Sequence, residues 1–169
     1  MDEYLNDNGK RIPDSEEFSF KHIMNDSLYS KINSDLIMPE SQRIFPDPEN
    51  LNYIPDLIEN LGGVDISFGG VALNGHIAFN EPEPEMSNEE FANLPTRIVK
   101  LTPETRIKDA ILSRGGAVDT VPTTAITIGM KEILSGKKVR LSMMNQMQRA
   151  VIRKACLMEV KICMESHGY

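Results

Sequence analysis

Apolar residues recur along the chain with two periods, and the switches between them mark out its elements. Leu51, Ile54, Leu57, Ile58 and Leu61 repeat at helical spacing across residues 48–61 and stop at Gly62. Gly62-Gly63 separates that helix from Val64-Asp65-Ile66-Ser67-Phe68, a short strand expected to be mostly buried. Upstream, residues 15–32 predict a helix with an acidic start, capped by Asp14 or Ser15, and residues 44–48 a proline-bounded loop. Downstream, the pattern predicts a short helix over 88–93, an extended segment over 97–101 and a helix over 102–113. It continues with a strand over 125–129, a short helix over 131–134, a strand over 138–143 and a helix over 146–155. Strands alternating with helices imply an α/β fold whose mostly parallel sheet carries helices on both faces. No repeat, low-complexity run or linker divides the chain, so residues 1–169 are expected to form one domain.

Composition narrows the function classes. The 169 residues, 40% hydrophobic and 25% charged, suffice for a sizeable core. A formal charge of −7 argues against a nucleic-acid groove, which needs clustered basic residues. No apolar run reaches the roughly 18 residues of a membrane span, and the acidic start Met1-Asp2-Glu3-Tyr4-Leu5-Asn6-Asp7 does not read as a signal peptide; a cytoplasmic location is expected. Cys156 and Cys163 lack the spacing of a metal site or redox pair and read as buried free thiols. His22 and His167 form no ligand cluster with His76, so no metal is expected. Met143, Met144 and Met147 read as core filler, and Gly115-Gly116 as a turn.

The candidate chemistry is concentrated in Gly69-Gly70-Val71-Ala72-Leu73-Asn74-Gly75-His76-Ile77-Ala78-Phe79-Asn80-Glu81-Pro82. It runs from an apolar strand through glycines into a segment holding histidine and carboxylate together. At the carboxyl end of a parallel strand, a glycine-rich turn lets backbone N–H groups approach an anionic or polyhydroxylated ligand. An imidazole titrates near neutral pH, and a carboxylate beside it can fix its tautomer and raise its basicity. His76 and Glu81 could thus move a proton in both directions. Taken singly, each would read as a turn histidine and a solvated acid; their shared segment favours the catalytic reading.

Asn74 to Pro82 resembles the signature of the glucosamine-6-phosphate deaminase/isomerase family, Asp-Gly-His-Ile-Ala-Phe-Asn-Glu-Pro, and differs only at its first residue. The sister 6-phosphogluconolactonases share the Asp-Gly-His core but continue differently, so Phe79-Asn80-Glu81-Pro82 points to the amino-sugar branch. Met1-Asp2-Glu3-Tyr4 resembles the family's Asp-Glu-Tyr segment. Phe18-Ser19-Phe20-Lys21-His22, Leu94-Pro95-Thr96-Arg97 and Leu101-Thr102-Pro103-Glu104-Thr105-Arg106 follow in family order.

The resemblance implies a Rossmann-like fold, incomplete relative to the family because its N-terminal and C-terminal segments have no counterpart here. It implies conversion of glucosamine 6-phosphate to fructose 6-phosphate and ammonia, with no cofactor. His76 would open the pyranose, oriented by Glu81, and Asp2 would move a proton between C2 and C1. Gly70 and Ala78 match positions whose backbone lies against the sugar, and Arg114 is the nearest counterpart of a phosphate-binding arginine. Arg97 and Lys100 could hold an effector's phosphate but read first as solvated cations. The implied partner is a phosphorylated amino sugar, with no nucleic acid or membrane, and a homo-oligomer stays open. Asn74 replaces the family's Asp, so its amide oxygen would accept from the imidazole without bringing negative charge. Two other readings remain open: a related sugar-phosphate isomerase with a different substrate, and a truncated, non-catalytic sugar-phosphate-binding homologue.

Overall fold

The computed structural model describes residues 2–157. Its elements alternate as expected, and they group into two compact units. The first takes the described part of Met1–Ile54 with Ile98–Thr127; the second takes Pro55–Arg97 with the described part of Ile128–Tyr169.

In the first unit, β1 (Glu3–Leu5), β4 (Thr124–Thr127) and β3 (Arg97–Lys100, all but its first residue in this unit) form a sheet in the order β1-β4-β3. β1 runs antiparallel to β4, with Glu3 opposite Ile126 and Leu5 opposite Thr124. α1 (Phe20–Ser27) and α4 (Pro103–Ser113) belong to the same unit. Thr102 caps α4 by accepting from the Thr105 N–H at 3.3 Å, and Pro103 fits the first turn, where no N–H is needed. The core comprises Tyr4, Leu5, Phe18, Leu101, Ala110, Val121, Ala125 and Ile126.

The second unit holds β2 (Ile66–Gly70) parallel to β5 (Lys138–Ser142), with Ile66 opposite Lys138 and Gly70 opposite Ser142. It also holds α3 (Asn88–Ala92), α5 (Met130–Leu134), α6 (Arg149–Leu157) and most of α2 (Tyr53–Asn60). α3 starts at a capping box in which Ser87 and Glu90 satisfy each other's backbone N–H groups. α5 follows Gly129, where a Cβ would lie 2.3 Å from the Leu94 carbonyl oxygen and 2.3 Å from Glu132 Oε2. Only glycine fits that approach.

The α/β class holds, and among the described residues the parallel pairing is confined to β2 and β5. Several local expectations are corrected. α1 begins at Phe20 with Ser19 as its cap, not near Asp14 or Ser15; Asp14 is instead ion-paired to Arg11 and Lys21. α2 starts only at Tyr53, because the Asp47 side chain accepts from the Glu49 N–H at 3.0 Å and holds the preceding residues in a turn. The strand expected over 64–68 lies two residues later and is not mostly buried: Phe68 is 75% exposed. Met143, Met144 and Met147 are not core filler either, Met144 being 94% exposed, and Cys156 is exposed rather than buried. Cys163 and His167 lie outside the described residues. Among the described residues no helix is long and apolar enough to cross a membrane.

Candidate functional site

The segment after β2 folds back on itself. Ala72 N–H donates to the His76 carbonyl at 2.9 Å, Gly75 N–H donates to the Ala72 carbonyl at 3.1 Å, and single bridges join Val71 to Ile77 and Ile77 to Asn80. Gly75 sits at φ 95°, in the left-handed region that a side chain resists. Ala78 is held at φ 58°, the only non-glycine residue at positive φ among those described. Such a conformation costs roughly 1 kcal/mol or more and persists only where its surroundings enforce it.

That fold-back places three side chains on one carboxylate oxygen's network. His76 Nδ1 lies 2.9 Å from Glu81 Oε2, and Asn74 Nδ2 donates to the same oxygen at 2.7 Å. His76 backbone N–H in turn donates to Asn74 Oδ1 at 3.2 Å. His76 and Glu81 are both buried, so the pair is shielded from bulk water. A carboxylate at Nδ1 favours the tautomer with its proton there, which leaves the Nε2 lone pair as the proton acceptor. The geometry reassigns Asn74: its oxygen serves the backbone, and Glu81 rather than Asn74 is the imidazole's partner. The negative charge that Asn74 lacks is supplied by Glu81.

Asn80, part of the signature but given no role there, and Arg97, read first as a solvated cation, anchor this turn from behind. Asn80 is buried; its amide donates to the Ile77 carbonyl at 3.0 Å and the Ile128 carbonyl at 2.9 Å, and its oxygen accepts from Arg97 Nη1 at 2.7 Å. Burial lowers the Arg97 guanidinium's pKa, offset by the charges of Glu83 and Glu132. Arg97 is therefore not a freely solvated cation. Nothing in the spacing of residues 80 and 97 signals their bond, since it depends on where β3 begins. Gly70 ends β2, where a Cβ would be 3.9 Å from the Ser142 carbonyl oxygen, an ordinary contact; the tighter fit is at Gly69, 3.3 Å from Leu141 Cδ2.

The first unit carries the other candidates. Asp2 Oδ1 accepts from the Thr127 hydroxyl at 3.0 Å, at the end of β4. Glu3 is fully buried, and its carboxylate accepts from the Ser19 hydroxyl at 2.9 Å and from the N–H groups of Phe20 at 3.0 Å and Lys21 at 3.2 Å. A carboxylate there complements the positive end of α1. Tyr4 donates its hydroxyl to Asp109 Oδ2 at 2.8 Å, and burial, then Asp109, raise its pKa. Arg114 caps the end of α4, stacks 4.3 Å over the Phe18 ring and lies 3.8 Å from Glu16. Its buried Nε has no hydrogen-bond partner. The structure thus brings His76, Glu81 and Asn74 together in the second unit, with Gly70 and Ala78 on the same segment, and sets Asp2 and Arg114 in the first. Among the described residues, no three His, Cys, Asp or Glu side chains are grouped as a metal site requires.

Comparison with known proteins agrees with the signature. No family model matches the chain. A glucosamine-6-phosphate deaminase of Clostridium botulinum (strain Eklund 17B / Type B) is 32% identical over 144 residues, covering 83% of this chain and 52% of that protein. Deaminases of the same name from Lachnoclostridium phytofermentans and Bacillus pumilus are 32% and 34% identical, with 61% and 56% of their lengths covered. The chain thus spans somewhat over half the length of these relatives. Among solved structures, a monomeric glucosamine-6-phosphate deaminase of the NagB superfamily superimposes with a TM-score of 0.79 at 26% identity, over 96% of this chain and 63% of that one. A 6-phosphogluconolactonase from Trypanosoma cruzi shares the fold, with a TM-score of 0.57 at 15% identity. Signature, fold and relatives agree: the chain is similar to glucosamine-6-phosphate deaminases.

Proposed function

We propose that this chain carries the sugar-opening and proton-transfer residues of an amino-sugar phosphate isomerase/deaminase, turning glucosamine 6-phosphate and water into fructose 6-phosphate and ammonia. The observation that supports this reading best is the buried His76–Glu81 pair at 2.9 Å, set inside a segment that matches the family signature at eight of nine positions. In this reading His76 Nε2 takes the anomeric hydroxyl proton and returns it to the ring oxygen as the C1–O5 bond breaks. Glu81 stabilises the transient imidazolium through Nδ1. Asp2 then carries a proton from C2 to C1 while a proton of the amine passes to O1, which leaves a hydroxymethyl group at C1 and an imine at C2. Water adds at C2, the C–N bond breaks, and ammonia departs with no net oxidation. Asn74 acts as a positioning residue, holding the Glu81 carboxylate and the His76 backbone with its two amide ends. The reading assigns the backbone of Gly70 and Ala78 to the sugar and Arg114 to its phosphate. Replacement of His76 by Asn should lower ammonia release from glucosamine 6-phosphate by about 10²- to 10⁴-fold, the usual worth of a positioned acid–base group. A variant that releases ammonia at the parent rate would remove His76 from the mechanism.

A further inference from the structure

We infer that the first unit holds a separate anion site, suited to a small phosphate monoester such as a sugar phosphate, in the cavity bounded by Arg11, Lys21 and Arg43. The cavity measures about 250 Å³, smaller than the roughly 300 Å³ at which pockets for drug-sized ligands begin. It takes its walls from the residues after β1, from α1 and from the chain leading into α2; Asn25, Phe45 and Tyr53 complete them, with Glu40. None of these belongs to the His76 segment.

The charges in this cavity are incompletely compensated. Asp14 is shared between Arg11 at 3.0 Å and Lys21 at 2.5 Å, so one carboxylate serves two cations. Arg43 has no carboxylate partner among the described residues: its Nε and Nη2 donate to the Met38 carbonyl at 3.3 and 3.1 Å, and it stacks 4.5 Å over the Tyr29 ring. Counting Glu40 and Asp14 against the three cations leaves one positive charge in excess. In addition, Arg11 Nε is buried without a hydrogen-bond partner. A buried donor left unpaired carries its desolvation cost uncompensated, and an incoming oxyanion would offset it.

Two guanidinium groups and an ammonium around one small cavity match a tetrahedral oxyanion better than a planar, singly charged carboxylate. The amide of Asn25 and the carboxylate of Glu40 suit hydroxyl groups, and the rings of Phe45 and Tyr53 offer faces for a sugar's C–H edges. The larger cavity of this unit, about 380 Å³, does not share the charge balance: Asp7, Glu16 and Asp119 in its walls outnumber Arg106 and Arg114.

The test is a titration of the full chain, labelled with ¹⁵N, with inorganic phosphate and then with glucose 6-phosphate, at ionic strength matched with chloride. Saturable amide shifts should appear at residues 11, 21, 25, 43–45 and 53. Arg43→Gln should weaken phosphate binding about tenfold or more, Arg43→Lys should recover part of it, and both should melt within a few degrees of the parent. Arg11→Gln provides an independent loss that does not disturb the Tyr29 stack. His76→Asn should leave this binding unchanged, so failure of the catalytic reading would not touch it. Shifts confined to residues 74–81, or affinities indifferent to both Arg43→Gln and Arg11→Gln, would overturn the proposal.

Discussion

β1 and β2 lead into the two segments that carry the family resemblance, and their burial is the reverse of their polarity. β1 contains a glutamate and is wholly buried; β2 contains Ile66 and Phe68, both of which are exposed. The difference lies in partners. Glu3 enters the interior because the Ser19 hydroxyl and the amides at the start of α1 meet its carboxylate, and Tyr4 because Asp109 meets its hydroxyl. Among the described residues β2 pairs with β5 alone, and those of its unit leave Phe68 uncovered. Burial in this chain follows the availability of a matching neighbour more closely than side-chain polarity.

The strongest way to break that comparison is to remove the carboxylate. Glu3→Ala should lower unfolding stability by about 3–5 kcal/mol, because it strips a hydroxyl and backbone amides of buried partners at one stroke. Glu3→Gln, which keeps an acceptor oxygen, should cost less. Urea unfolding followed by circular dichroism reads both, and a loss below about 1 kcal/mol in the alanine variant would mean that α1 is capped without Glu3.

Tyr4 sharpens the same contrast with a smaller effect. Tyr4→Phe removes the hydroxyl bond to Asp109 and should cost about 1–2 kcal/mol at neutral pH. Its pH dependence has a fixed sign. Burial and the neighbouring Asp109 raise the folded-state pKa above the ordinary value of 10.0, so the stability tied to neutral Tyr4 is complete below pH 10.0. Above it the unfolded chain releases the proton while the folded chain retains it, and stability falls as pH rises. The parent should therefore lose more stability between about pH 9 and 11 than Tyr4→Phe does; equal losses would assign the alkaline sensitivity to other groups.

What could be read from the sequence was local. Thr102 with Glu104 and Thr105 marked the start of α4, and the apolar rhythm of residues 51–61 marked α2. The nine-residue signature placed His76 and Glu81 together because its turn closes on itself through nearby bonds, such as Ala72 to His76. What escaped were arrangements made over distance. The start of α1 depends on Glu3, sixteen residues before its cap, and the anchoring of Asn80 on Arg97, seventeen residues away. Exposure of β2 and of the methionines around residue 144 also could not be seen, because an apolar run states what a segment can bury and not what lies beside it. The partners of Asn74 escaped for a related reason: an amide has two ends, and sequence does not show that its oxygen meets the His76 backbone and its nitrogen Glu81.

The smallest expected effect belongs to β2. Phe68 is 75% exposed, so Phe68→Ser should change unfolding stability by no more than about 0.5 kcal/mol, as surface substitutions generally do. Phe91, buried in the same unit, provides the control: Phe91→Ala should cost about 3–5 kcal/mol through lost transfer energy and the cavity left behind. The two phenylalanines have the same side chain and differ in what surrounds them. Self-association measured by sedimentation should fall in Phe68→Ser and stay unchanged in a mild polar substitution elsewhere on the surface, since exposed aromatic area favours sticking. A Phe68→Ser cost approaching that of Phe91→Ala would show that β2 is covered in solution, and the contrast with β1 would then be one of which neighbour does the covering.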